Sequence, residues 1–374
     1  MKITAAKTYF IPPEVSVTAW GPGRTWILVK LETDEGLEGW GETHRIHERE
    51  HAIARKVQRL SHDVVGMDPF CIKRFMTMAY DSITNPREGI EISTAAAGIE
   101  IALWDIVGKA LDSPIHKLLG GPCRERIGVY ANCWSDETRS PEQLASFATE
   151  QVERGFRAVK IYPFLYDNSV GDGIACLRAV RDAVGPDVSV LIDMWSRMRQ
   201  EDFPVIVDAL HAHGVSWFED PASASDVDSL ARIRAQSNLM VVTGETLYSK
   251  QEFRRLLEHN AADVLNPEIT LCGILGTKEI AAMAEAYSTN VSVHNNNTMT
   301  IGLAAAMQAA AVIPNFTLVE FFPRLEKGSN TFSSFPYELD EDGCIPLSPE
   351  PGLGVTVDEA ALAAMEYKPV SDDQ

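Results

Sequence analysis

The sequence predicts an α/β fold in which a parallel barrel of βα units follows a smaller α+β domain. Three observations carry that expectation. From Val129 onward short β-rich runs alternate with amphipathic helical stretches, in the order VYANCW, AVKIY, VSVLID, VSWFE, MVVTGE, DVLNPE, VSVH and TLVE. Ionisable residues close successive runs at Asp193, Glu219, Glu245, Glu268, His294 and Glu320, at intervals of 26, 26, 23, 26 and 26 residues. The first third of the chain lacks this repeat.

The opening segment has a different texture. Thr25 to Glu38, TWILVKLETDEGLE, alternates apolar and polar residues around Asp34-Glu35-Gly36, a hairpin signal within three short antiparallel strands. Helical periodicity follows in His51 to Leu60 and in Ala95 to Leu111, which ends near Pro114. After Pro323 the βα pattern stops and a turn-rich tail with two short strand candidates begins. The expected organisation is a first domain over residues 1–124, completed by 325–374 packing back on it, with the barrel over 125–324.

Composition narrows the function. The chain of 374 residues is 45% hydrophobic, enough to bury a large core throughout. A net charge of −20 disfavours nucleic acid, whose phosphates need a basic surface. The start MKITAAKTYF has no apolar stretch of signal-peptide length, and no run is long enough to span a membrane, so a soluble, cytoplasmic protein is expected. The six cysteines are scattered without a CxxC pair and are expected as free thiols, mostly in the core.

In a barrel the carboxyl ends of all strands meet at one mouth, so the recurring ionisable residues would share a cavity. Asp193, Glu219 and Glu245 close three consecutive runs. Carboxylates at contact distance raise one another's pKa unless a cation joins them. Oxygen-only ligands suit Mg²⁺, with Mn²⁺ a substitute. Lys160 and Tyr162 end the AVKIY run and point the same way, because strand side chains alternate. Lys160 is costly to bury without a charged partner, whereas Tyr162 fits equally a core aromatic with a satisfied hydroxyl. His294 precedes three asparagines, where it is either a helix cap or an acid–base group whose tautomer Glu268 would fix.

These residues, with GWGET, AAAGIEIALWDIVGKALDSPIHKLLGG, VLID, WFEDP, TGE, NPE-x-x-x-x-GI and VSVH, resemble the enolase superfamily and within it the mandelate racemase subgroup. The resemblance implies a modified (β/α)7β TIM-type barrel with an α+β capping domain. Position by position it makes Asp193, Glu219 and Glu245 the metal ligands and Lys160 the first lysine of a Lys-x-Lys motif. His294 matches the dyad histidine, and Glu320 the acid that hydrogen-bonds the substrate carboxylate. Tyr162 replaces the second lysine, Glu268 the dyad aspartate, and Trp195 the catalytic histidine that galactonate dehydratases place two residues after the first ligand.

Loss of the second lysine disfavours racemisation, which needs a base on each face of one carbon. The resemblance therefore implies a Mg²⁺-dependent acid-sugar dehydratase, a hydro-lyase that removes the proton α to a carboxylate and expels the β-hydroxyl to give a 2-keto-3-deoxy acid. A racemase, epimerase or cycloisomerase is the alternative. His294 held by Glu268 is the expected acid, and either it or Tyr162 or Lys160 the base. Specificity is expected from Trp20 and Arg24 in one capping loop, His44 and Arg45 in a second, and Trp195 at the mouth. Arg24 or Arg45 would meet a second carboxylate and His44 a sugar hydroxyl. The expected partner is a small sugar acid, with no nucleic acid or membrane, in a homo-oligomer.

Overall fold

The computed structural model describes residues 1–11, 25–46, 48–83, 89–134, 140–165, 168–298, 300–334 and 337–366. Strands β1 (Ile3–Ile11), β2 (Trp26–Thr33) and β3 (Glu38–Glu42) form an antiparallel sheet in sequence order. The β2–β3 turn falls where the Asp34-Glu35-Gly36 signal places it, with Gly36 at φ 79° and its N–H on Thr33 O at 3.2 Å.

Helices Glu50–Val64, Ile72–Ile83 and Gly89–Ala110 follow. The last is buried on nearly every side from Ile92 to Gly108, as a helix apolar all round must be. It starts six residues before Ala95, and Ser93 and Thr94, which interrupt the apolar run, are buried within it with their hydroxyls on Leu271 O and His44 O. Strand β3 presses directly on this helix. A Cβ at Gly39 would overlap Ala102 O and one at Gly41 would overlap Gly98 O, so GWGE places glycine at both points of backbone contact.

Eight parallel strands then close a barrel: β4 (Arg126–Asn132), β5 (Ala158–Ile161), β6 (Ser189–Asp193), β7 (Trp217–Glu219), β8 (Met240–Thr243), β9 (Val264–Leu265), β10 (Asn290–Val293) and β11 (Phe316–Phe321). Pairing of β11 with β4 completes the ring, with Glu320 opposite Tyr130. Helices Pro141–Glu153, Val170–Val184, Phe203–Ala212, Val227–Ser237, Lys250–Glu258, Ile269–Ala286 and Thr300–Ala311 fill the seven connections, giving the (β/α)7β order. Alternation along the strands separates two cores. Tyr130, Ala158, Leu191, Trp217, Val242 and Val264 plug the barrel, while neighbours such as Val129, Val159, Val190 and Phe218 join the helices.

The tail divides its contacts. Strand β12 (Cys344–Pro346) pairs antiparallel with barrel strand β4, while Glu359 reaches the first sheet, bonding Lys30 Nζ at 2.7 Å. Three cysteines, Cys133, Cys176 and Cys272, are buried; Cys123 is exposed and Cys71 and Cys344 are half-buried, a smaller core share than expected.

Gly41→Ala should force β3 away from its helix, at a cost of about 1–3 kcal/mol. The urea midpoint measures this, and an unchanged midpoint would show the two backbones can separate freely.

Candidate active site

The strand ends bring most of the ionisable series to one mouth, by three local devices. Asp193 and Glu219 are the last residues of β6 and β7 and lie side by side in register. Glu245 stands two residues past β8, beyond Gly244 at φ 130°. Glu268 and His294 form an isolated parallel bridge beyond β9 and β10, and Glu268 is also the N-cap of the Ile269–Ala286 helix, accepting Thr270 N–H at 2.9 Å. It therefore caps a helix and faces the site together.

Lys160 is fully buried at the centre. Its Nζ lies 2.8 Å from Glu219 Oε1, 2.8 Å from Glu320 Oε1 and 3.4 Å from Asp193 Oδ2, over the rings of Tyr130 and Tyr162. Burial opposes its charge, but Glu219 and Glu320 outweigh that and hold its pKa well above the ordinary value. Tyr162 shares this face; its hydroxyl accepts Asn132 Nδ2–H at 2.8 Å, and burial pushes the phenol well above its usual range.

His294 stands on another side. Nδ1 lies 2.7 Å from Glu268 Oε2, while Nε2 lies 2.8 Å from Glu245 Oε2 and 3.0 Å from Glu320 Oε2. Burial disfavours the imidazolium, yet Glu320 and Glu245 dominate and raise its pKa well above the ordinary value. Glu268 is held below the usual carboxylate range despite full burial, because His294 bonds it and the His44 ring stands nearby at 3.8 Å.

Other acids fare differently. Burial, reinforced by Glu219, drives the Asp193 carboxyl well up, and burial also raises Glu219 against the pull of Lys160. Glu245 is lowered by His294 in spite of burial. Five carboxylates thus converge on Lys160 and His294, and burial raises the pKa of two of them, Asp193 and Glu219. Such an oxygen-rich donor set fits a hard divalent ion. Ligand atoms of Glu219, Glu245 and His294 lie within 4.8 Å of one another. Asp193, beside Glu219, is turned toward Lys160, and its Oδ1 accepts Trp195 N–H at 2.8 Å.

Several polar residues complete the site with weak sequence signals. Asn132 donates from Nδ2 to Glu320 Oε1 at 2.8 Å as well as to Tyr162. Asn266, inside the NPE motif, donates to Glu219 Oε1 at 3.0 Å. Asp220 is fully buried at φ 40° and accepts the Thr243 hydroxyl at 2.5 Å. Apart from the NPE and WFEDP segments that contain Asn266 and Asp220, the signal was position at the end of a strand, where Asn and Asp also occur as turn formers.

Trp195 is half-buried at φ 46°, next to the acids, with the Arg197 guanidinium 4.7 Å from its ring centroid. Arg45 lies over the Trp26 ring at 5.0 Å, and His44 Nδ1 is 3.2 Å from Thr270 Oγ1. Trp20 and Arg24 lie outside the described residues.

Comparison with known proteins agrees with this geometry. Residues 1–120 match the mandelate racemase / muconate lactonizing enzyme N-terminal domain, and residues 143–361 match the enolase C-terminal domain-like family. The chain belongs to the mandelate racemase / muconate lactonizing enzyme family of the enolase superfamily. Members of this superfamily use a divalent metal ion. A D-galactonate dehydratase of Ralstonia pickettii (strain 12J) is 32% identical, covering 97% of this chain and 94% of its own. A D-galactarolactone cycloisomerase of Agrobacterium fabrum (strain C58 / ATCC 33970) is 30% identical, covering 97% and 98%. The crystal structure of an enolase from shotgun sequencing of the Sargasso Sea superposes with TM-score 0.90 at 27% identity, over 98% and 97% of the two chains. No helix among the described residues is long and apolar enough to cross a membrane.

Lys160→Met should leave Glu219 and Glu320 buried without their cation. In the presence of a chelator the variant should lose about 3–5 kcal/mol of stability in urea; an unaltered midpoint would mean that Lys160 does not balance these acids.

Proposed function

We propose that this enzyme is a Mg²⁺-dependent acid-sugar dehydratase that binds its ion through Asp193, Glu219 and Glu245. The observation that carries the reading is the His294–Glu268 pair at 2.7 Å, aimed into a carboxylate cluster that Lys160 and Tyr162 border on another side. When bound, the ion takes up negative charge that builds on the substrate carboxylate as the α proton leaves.

The rest is done by side chains. An ionised carboxylate only accepts hydrogen bonds, so Glu268 fixes the proton of His294 on Nδ1 and leaves Nε2 as the reactive nitrogen. Tyr162 is held as a phenol and Lys160 as an ammonium, which makes both donors rather than bases in this arrangement. With a divalent ion held by Asp193, Glu219 and Glu245 offsetting the negative charge that keeps His294 protonated in the cluster alone, Nε2 of the neutral imidazole takes the α proton and returns it to the departing β-hydroxyl. The C–H and C–O bonds break, water leaves, and the resulting enol becomes a 2-keto-3-deoxy acid. Lys160 and Asn132 fix the position of Glu320 Oε1.

The relatives supply the substrate class. One is named a D-galactonate dehydratase, and the substrate of this enzyme is accordingly a hexonate or related sugar acid. Trp195 stands where the galactonate enzymes carry a second histidine, so the single histidine has to serve both proton transfers. The cycloisomerase relative sustains a second reading, in which the same proton abstraction leads to ring opening instead of loss of water.

Incubation with Mg²⁺ and a panel of hexonates, pentonates, aldarates and aldarolactones should yield a 2-keto-3-deoxy acid in a colour assay. Silence from every acid, or isomerisation of a lactone without that product, would overturn the dehydratase reading. His294→Asn should lower kcat by about 10²–10⁴ with the fold kept, as loss of a general acid–base group does. Chelation should abolish turnover and Mg²⁺ should restore it; activity that persists after exhaustive chelation would refute the metal assignment.

A further inference from the structure

His44 does not sit where a free substrate ligand would. It follows β3 in the first domain and is 12% exposed, with its ring turned to the start of the Ile269–Ala286 helix. Nδ1 is 3.2 Å from Thr270 Oγ1 and 3.8 Å from Glu268 Oε1. The backbone is pinned as well: His44 N–H donates to Thr94 Oγ1 on the Gly89–Ala110 helix, and Thr43 N–H reaches Ile27 O at 3.1 Å. The ring therefore has little freedom to follow a ligand.

The hydrogen bonds around Glu268 fix what His44 does. Glu268 Oε1 accepts Thr270 N–H at 2.9 Å and the Thr270 hydroxyl; Oε2 accepts His294 Nδ1–H at 2.7 Å and Asn296 N–H at 2.8 Å. A hydroxyl has one proton, and Thr270 spends it on the carboxylate, so toward His44 its oxygen can only accept. His44 Nδ1 must then carry hydrogen and donate. A hydrogen-bonded chain thus links the first domain to the imidazole of His294: His44 donates to Thr270, and Glu268 accepts from Thr270 on one oxygen and from His294 on the other.

The same helix start is braced at two more points from the Gly89–Ala110 helix. Ser93 Oγ donates to Leu271 O at 3.0 Å, and Glu100 accepts Ile274 N–H at 2.9 Å and Leu275 N–H at 2.8 Å. These two hold backbone. Only the His44 link ends on the side chain that orients His294.

We infer that His44 is a positioning residue of the acid–base dyad, holding Glu268 through Thr270 so that His294 Nε2 keeps its aim. The inference rests on the reading of His294 as the acid–base group, and it replaces a sugar-hydroxyl contact with a role inside the protein. Orienting partners of this kind are worth roughly 10–100-fold in activity.

The test uses His44→Phe and His44→Asn, the second placing an amide N–H near the position of Nδ1. With ring-¹⁵N-histidine protein and no substrate, the His294 Nδ1–H resonance is assigned by its disappearance in His294→Asn. His44→Phe should shift or broaden that resonance, and His44→Asn should restore it. On any acid the wild type turns over, His44→Phe should lower kcat roughly tenfold with KM within about twofold. Thr270→Val, which cuts the same chain, should match it, and the double variant should lose no more than either single one. A rise in KM at constant kcat, additive losses, or an unmoved His294 resonance in the Phe variant would each overturn the inference. A wild-type chain that turns over no acid would count against the dehydratase reading alone, and the resonance would still decide the role of His44.

Discussion

The mouth of the barrel buries more negative charge than positive, and most of the polar architecture answers that imbalance. Asp193, Glu219, Glu245 and Glu320 converge with Lys160 and His294 as their balancing cations. Removing ions from water costs several kcal/mol each, and such a cluster is weak ground for stability. It persists because the surrounding structure over-determines it. Asn132 and Asn266 donate to Glu320 and Glu219, Trp217 Nε1–H donates to Glu219 Oε2 at 2.9 Å, and the strand register leaves the acids nowhere else to go. The large apolar core of strands and helices beneath supplies the stability that the mouth does not.

The first domain contributes rigidity to that mouth. Its long helix lies between β3, where two glycines allow backbone contact, and the Ile269–Ala286 helix, which Glu100 caps at the break where Gly273 takes φ 70°. Burial pushes the Glu100 carboxyl up to about 7, against the backbone and Trp104 donors that favour its charge. On the far side Lys30, almost fully buried, gathers Glu32, Glu38 and Glu359 and ties the tail to the first sheet. A loop hung on such a frame can set a side-chain angle, which a loosely docked lid cannot.

How much of this was legible in the sequence follows from which signals are periodic. Strand ends separated by 23 or 26 residues marked the acids and His294 because a closed barrel repeats its geometry, and the need of buried Lys160 for charged partners followed from desolvation alone. Tyr162 was ambiguous between core aromatic and site residue, and its hydroxyl bond to Asn132 places it at the edge of both. Asn132, Asn266 and Asp220 were harder to read, since small polar residues after strands serve turns as often as sites. His44 illustrates a deeper limit. Its loop position suggested a substrate contact, whereas its ring direction depends on Thr94 and Thr270, residues 50 and 226 positions away that no local pattern connects.

The two borders of the site are chemically unequal, and that inequality bears on the reaction. Lys160 is locked among three acids and Tyr162 is a half-buried phenol, so that side offers hydrogen-bond donors and positive charge. His294 has one nitrogen committed to Glu268 and the other facing the acid cluster, so once a divalent ion offsets that cluster's charge this side can exchange a proton in either direction. Inversion at one carbon would call for matched bases on opposite faces. Elimination asks for a single group able to accept and then donate, opposite a positive charge that steadies the carboxylate. An imidazole with a fixed tautomer meets that requirement, and the chain devotes a carboxylate, a threonine and a histidine from another domain to keeping it fixed.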